Sequence, residues 1–202
     1  MEEQKLSQLT DQILGRLFIE LEASARHVHI TRAQAQALFG HDLTPERPLS
    51  QPGQYLAKER VTIQGPKGKL YNVAVLGPAR QEAQVEISLT DGKTLGIRPP
   101  VRQSGDVART PGVILAGEAG TVALKQGVIA AQRHVHLTPD SAAGFGVRDK
   151  QVVRLQTYSA RPLIFEDVIV RVSSAFADRA HLDFDEANAC GMNPGDLGRI
   201  LS

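Results

Sequence analysis

A mainly β fold is predicted for this chain: two β-barrel domains from an internal duplication, with short helices and an N-terminal helix. Three observations predict it. The segment Arg26-His27-Val28-His29-Ile30-Thr31 returns as Arg133-His134-Val135-His136-Leu137-Thr138. Most segments beyond it are short and either alternate in polarity or are rich in β-branched residues. Turn signals bound them at Gly65-Pro66-Lys67-Gly68, Gly77-Pro78 and Asp91-Gly92. Many short strands with frequent turns favour barrels or sandwiches over strands alternating with long helices.

The elements follow in order. Leu6, Leu9, Ile13, Leu17 and Leu21 recur at spacings of three and four, with Leu14 and Phe18 widening the stripe. That pattern predicts an amphipathic helix over residues 1–22. Two readings of it stand: a helix packed on the protein body, or one that docks on a partner. Strand-like runs lie at residues 61–64, 70–76, 84–89, 151–156 and 167–172. A short helix is expected after each His-Val-His, ending near Gly40 and Gly146. Residues 23–108 form the first β-barrel repeat, 109–124 a Pro/Gly-containing connection, and 125–202 the second β-barrel repeat.

The duplication extends past the histidines. They repeat at an offset of 107 residues, whereas residues 85–96 lie over 180–191 at an offset of 95. The first repeat therefore holds about 12 extra residues, which the turn-rich stretch 42–53 can supply. At the second offset Glu86 falls on His181. Residues i and i+2 of a strand share a face, so each His-Val-His presents two imidazoles side by side. With the aligned third residue this gives two triplets: His27, His29 and Glu86, and His134, His136 and His181. Three nitrogen or oxygen ligands with a fourth position open is the pattern of catalytic zinc. Iron, cobalt or nickel could substitute. Spacing alone leaves open whether the triplets make separate sites or one bimetallic centre.

Other residues carry weaker signals. Arg80 stands in a turn six residues before Glu86, where a guanidinium fork suits phosphate. Lys67 sits at a hairpin tip. Ser104 has no base near it in sequence and reads as a turn or hydrogen-bonding residue. Asp183, Asp185 and Glu186 read either as solvated groups or as acceptors for imidazole N–H groups. Cys190, the single cysteine, aligns with Leu95 and reads as a packed small residue.

Bulk properties exclude several classes. The net charge of +1 gives no basic field for nucleic acid or anionic lipid. No apolar run is long enough for a membrane-spanning helix. The start Met1-Glu2-Glu3 does not resemble a secretion signal, and one cysteine fits a reducing cytoplasm. No nucleic-acid or membrane partner is expected; a homo-oligomer is left open.

Taken together, the two His-Val-His motifs, Val75-Leu76-Gly77-Pro78-Ala79-Arg80, Gln84-Val85-Glu86-Ile87-Ser88, Pro100-Val101-Arg102-Gln103-Ser104-Gly105 and His181-Leu182-Asp183-Phe184-Asp185-Glu186-Ala187-Asn188 resemble the PduL-type phosphotransacylases. These are phosphate propanoyltransferases associated with bacterial microcompartments. The resemblance covers roughly residues 22–202. It implies two β-barrel domains, a dinuclear zinc centre, and interconversion of acyl-CoA (propionyl-CoA or acetyl-CoA) plus phosphate with acyl phosphate plus coenzyme A. Coenzyme A is then a substrate rather than a resident cofactor.

Carried over residue by residue, the resemblance places His27, His29 and Glu86 on one zinc and His134, His136 and His181 on the other. Arg80 takes the phosphate-binding position, and Ser24, Lys67, Leu76 and Asn188 take coenzyme A contacts. The expected division of labour places the coenzyme A sulfur at the first triplet and phosphate at the second, together with Arg80. Two departures stand out: Ala74 where the family tends to have arginine, and Phe184 where a smaller residue is usual. Members destined for a microcompartment carry an N-terminal amphipathic extension, so shell proteins are the partner implied for the helix. A metal-dependent hydrolase and a metal-binding module without activity are the alternatives from other classes.

Overall fold

The computed structural model describes residue 15 and residues 17–201. The chain forms two compact units. Of the described residues, those up to 24, 133–182 and from 186 onward make one; residues 25–132 and 183–185 make the other. Gly15 and Leu17 are helical, and β1 (Ile19–Ser24) follows as part of the first of these units.

The second unit is a nine-stranded half-barrel sheet of β2 (His27–His29), β3 (Pro45–Pro48), β4 (Tyr55–Gln64), β5 (Lys69–Gly77), β6 (Gln84–Glu86), β7 (Val101–Arg102), β8 (Val113–Ala116), β9 (Thr121–Leu124) and β10 (Val128–Ala131). Its order is β7-β10-β6-β2-β5-β4-β8-β9, with β3 added on β4. It also carries the short helices α1 (Arg32–Phe39) and α2 (Leu89–Leu95).

The first unit is a closed barrel. It adds to β1 the strands β11 (His134–Leu137), β12 (Val152–Tyr158), β13 (Ile164–Val172), β14 (Arg179–Asp183) and β15 (Leu197–Leu201). Its order is β1-β14-β11-β13-β12-β15, closed by β15 on β1. Two helices accompany it, α3 (Pro139–Phe145) and α4 (Phe184–Cys190). No helix among the described residues is long and apolar enough to cross a membrane.

The duplication is visible in the local chemistry. Thr31 caps α1 and Thr138 caps α3, each accepting a bond from the backbone N–H three residues on. Gly40 and Gly146 end these helices in the left-handed conformation that glycine adopts without a Cβ penalty. The central Val28 and Val135 of the two motifs are fully buried, each in its own unit's core. Burying a valine is worth about 1.5–3 kcal/mol, so packing holds each motif in register with its imidazoles on the opposite face. Cys190 and Leu95 are both fully buried, as their alignment implies.

Three expected boundaries move. Residues 19–22 are strand, not the last turn of the N-terminal helix. Ile19 and Leu21 are buried and alternate with Glu20 and Glu22. Period two prevails because β1 finds a strand on each side. The rest of that expected helix, residues 1–14 and 16, and with it the surface expected to dock on a shell, lies outside the described residues.

Residues 109–124 are not a bare connection. They contain β8 and β9, paired to each other and, through β8, to β4. β10, expected within the second repeat, pairs instead with β6 and β7 of the sheet. Each His-Val-His strand is thus preceded by a strand of the other unit: β1 before β2, and β10 before β11.

Candidate functional site

Pairing of neighbouring strands assembles each triplet. In the sheet, His27 on β2 lies directly across from Glu86 on antiparallel β6. In the barrel, His134 on β11 lies directly across from His181 on antiparallel β14. Directly opposed residues hold their Cβ atoms about 4.5–5.5 Å apart, and the second histidine of each motif lies two residues along the same face. The ligand-capable atoms of each triplet all lie within 4.8 Å of one another. His27, His29, Glu86 and His136 are buried; His134 and His181 are half-buried.

The side chains suit a divalent metal. Metal–nitrogen bonds of about 2.0–2.1 Å in a tetrahedron place ligand atoms roughly 3.3 Å apart. His27 Nε2 and Glu86 Oε1 are 3.6 Å apart. His27 Nδ1–H donates to the Ala25 carbonyl at 2.7 Å, which leaves Nε2 as the lone-pair nitrogen. His29 Nδ1 is buried with no hydrogen-bond partner, a costly arrangement unless something else takes its lone pair or proton.

Burial, and then the positive charges at His27 and Arg80, lower the His29 pKa to about 3, so it is neutral and can coordinate. Burial also works against the His27 cation. There the Glu86 carboxylate outweighs it, and the pKa is raised. In the barrel, ring centroids lie 4.7 Å apart for His134–His136, 5.0 Å for His134–His181 and 4.9 Å for His136–His181. Phe176 stacks on His136 at 4.2 Å.

Arg80 belongs with the first cluster. Its backbone N–H donates to the Ile30 carbonyl at 2.9 Å, which ties the turn after β5 to the end of the His-Val-His segment. The Gly77–Pro78 peptide in this turn is cis. Arg80 and His29 line a cavity of about 290 Å³ together with Pro52, Gly53, Gln54, Gly77 and Pro78. The residues that the first repeat holds in excess thus supply β3 and one wall of this cavity. Arg80 Nη1 also reaches Ser104 Oγ at 3.4 Å, so Ser104 is a hydrogen-bonding residue rather than an isolated hydroxyl.

The remaining expected residues occupy varied places. Lys67 is exposed at the β4–β5 turn, with its backbone N–H on the Leu95 carbonyl at 3.0 Å. Leu76 is half-buried on β5. Ser24 ends β1 in the other unit, and Asn188 is exposed on α4. Ala74 lies beside His27 on β5 and across from Arg60 on β4. The Arg60 guanidinium is engaged by Glu46 at 2.8 Å. Phe184 begins α4 and is exposed.

Residues that sequence reasoning left without a role complete the picture. Gln84 is buried, two residues before Glu86 on the same face of β6. Its amide donates to Glu86 Oε1 and, at 2.8 Å, to Ser104 Oγ; its carbonyl accepts from Gly105 N–H at 2.7 Å. One side chain therefore holds the carboxylate and the Ser104 loop. The arginine before each His-Val-His makes a matching ion pair. Arg26 reaches Asp91 at 3.1 Å and Arg133 reaches Glu186 at 2.6 Å. Asp91 and Glu186 correspond at the same 95-residue offset that relates Glu86 to His181. Glu186, one of the residues read as imidazole acceptors, pairs with Arg133. The signal for these pairs was the duplication itself, in the shared arginine of the flanks.

Comparison with known proteins places the chain among the acyltransferases. The phosphate propanoyltransferase family model matches residues 20–193. A phosphate propanoyltransferase of Clostridioides difficile is 48% identical over 205 residues, covering 98% of both chains. One of Listeria monocytogenes is 49% identical over 198 residues, covering 97% of this chain and 93% of its own. One of Thermotoga maritima is 53% identical over 181 residues, covering 88% and 86%. The chain belongs to the phosphate propanoyltransferase family.

Proposed function

We propose that the protein transfers a short acyl group between coenzyme A and phosphate: acyl-CoA plus phosphate gives acyl phosphate plus coenzyme A. The observation that carries this reading is Arg80 sharing a cavity with His29 of a three-ligand cluster, in a chain of this family. In this reading His27, His29 and Glu86 hold one zinc ion, and His134, His136 and His181 hold another. Bound there, zinc supplies Lewis acidity toward the thioester carbonyl and lowers the cost of releasing a thiolate.

The protein groups supply positioning. Arg80 offers phosphate a planar, permanently charged fork, and its backbone bond to Ile30 fixes the turn that presents it. His29, neutral at working pH, adds no competing proton. A phosphate oxygen attacks the thioester carbonyl, the carbon–sulfur bond breaks, and the electron pair leaves on sulfur. Holding the two anionic reactants in line removes much of the entropy cost. Ser24, Lys67, Leu76 and Asn188 contact coenzyme A, and the position of Ala74 supplies no cation to it.

Thiol release from propionyl-CoA and acetyl-CoA, with and without phosphate, tests the reading. Release that requires phosphate is the expected outcome. Phosphate-independent release would make the protein a hydrolase, and no release from zinc-loaded protein would make it a metal-binding module. Arg80→Ala is expected to raise the phosphate KM or lower kcat by about 10²–10³-fold while leaving metal content intact. Wild-type kinetics in that variant would remove Arg80 from the site.

A further inference from the structure

The barrel cluster has an acidic neighbour at a position where its counterpart in the sheet has an apolar one. β1 neighbours β14 in the barrel. Glu22 of β1 places Oε2 3.6 Å from His181 Nε2. His181 Nε2 is buried with no hydrogen-bond partner. Arg179, two residues before His181 on the same face of β14, sits between two carboxylates, Glu20 at 3.0 Å and Glu22 at 3.8 Å. Glu20 and Glu22 share one face of β1, opposite the buried Ile19 and Leu21.

The repeat shows what is particular about Glu22. At the 107-residue offset of the two motifs, Glu22 corresponds to Ile129. Ile129 on β10 lies directly beside Glu86 on parallel β6. The strand next to each third ligand therefore offers an apolar side chain to the carboxylate Glu86 and a carboxylate to the imidazole His181. The residue two positions before each third ligand differs in the complementary way. Gln84 donates an amide N–H to Glu86, and Arg179 steadies Glu22. A carboxylate ligand is held by a donor, whereas an imidazole ligand is held by a carboxylate, which sets ring orientation and raises basicity.

We propose that Glu22 is the positioning carboxylate of the His134/His136/His181 cluster, set against the Nε2 edge of His181, with Arg179 steadying it. This rests on the reading that the cluster holds a divalent metal. The test is zinc titration of the full chain against a chromophoric chelator, with cobalt absorption spectra as a second readout. Wild type is expected to bind two equivalents.

In Glu22→Ala one equivalent should weaken by about 10–100-fold, with a changed cobalt spectrum, while the other stays at wild-type affinity. The weakened equivalent should be the one that His181→Ala abolishes. Glu20→Ala, which removes the other partner of Arg179, should leave both equivalents unchanged. Two wild-type equivalents in Glu22→Ala would overturn the role of Glu22 alone. Equal weakening in Glu20→Ala would overturn it too, since the Arg179 pairs would then be the cause. A wild-type chain that binds no metal would sink both this role and the two-metal reading.

Discussion

The two histidine clusters are copies of one arrangement that have diverged around a single position. In the sheet the third member is Glu86, buried, with its carboxylate bonded by the Gln84 amide. In the barrel it is His181, half-buried, with Glu22 alongside. What stays constant is the scaffold. A buried valine sits between two outward imidazoles, the third member lies directly across on an antiparallel strand, and an arginine before the motif reaches the helix after that strand. The lesson is that β-pairing sets where the three side chains meet, while the surroundings of the third differ between the two clusters.

The largest expected effect comes from deleting that third member. Glu86→Ala and His181→Ala should each cost one equivalent of zinc. Each should also lower the phosphate-dependent rate by about a thousandfold, since a metal's Lewis acidity is worth several kcal/mol. If one variant keeps its full rate after losing its metal, that cluster is structural and the functional parity of the copies breaks. Metal content measured beside activity separates this outcome from misfolding.

A middle-sized effect is expected two residues earlier. Gln84→Ala removes the donor to Glu86 and both contacts to the Ser104 loop. Leaving such buried groups unsatisfied costs about 1–3 kcal/mol, to be read from denaturant midpoints. It should also weaken one zinc equivalent, the one that Glu86→Ala abolishes. Arg179→Ala, its counterpart, should cost less stability because its ion pairs are partly exposed. Equal costs would mean that the two supporting residues are interchangeable.

How far these features could be read from sequence depends on whether they repeat. The imidazole pairs were legible because i and i+2 share a face and the motif occurs twice. The third members were legible because a fixed offset lays Glu86 on His181. Their convergence in space rests on the pairing of β2 with β6 and of β11 with β14, which the differing offsets of 107 and 95 do not give. Partner choice was not legible. Neither the alternation in residues 19–24 nor the apolar run 128–131 carries information about which unit takes them, so the exchange of β1 and β10 stayed hidden. Leu17 and Leu21 also fit a helical spacing, which concealed the start of β1. Gln84 and Glu22 escaped notice for a related reason. Nothing in composition distinguishes a buried glutamine or a strand glutamate from a solvated one until its neighbour across the strand is known.

The smallest expected effect concerns the duplicated ion pairs, and it bears most directly on the scaffold the copies share. Arg133→Ala should cost more than Arg26→Ala. Arg133 also donates to the Glu166 carbonyl and lies 5.7 Å from the Phe165 ring centroid. The coupling energies should nonetheless match. Double-mutant cycles of Arg26 with Asp91 and of Arg133 with Glu186 should each give about 0.5–1 kcal/mol. These pairs are partly exposed, with Arg26 and Arg133 side chains 38% and 28% accessible, so solvent screens them. Asp91 complicates one cycle, because it also completes the Ser88 capping box of α2. Asp91→Asn keeps an oxygen for the Ser88 N–H while removing the charge, which isolates the ion pair. Coupling near zero in one repeat and about 1 kcal/mol in the other would show that only one copy still relies on the clamp. Equal coupling would show that the scaffold has been kept in both while the third member changed.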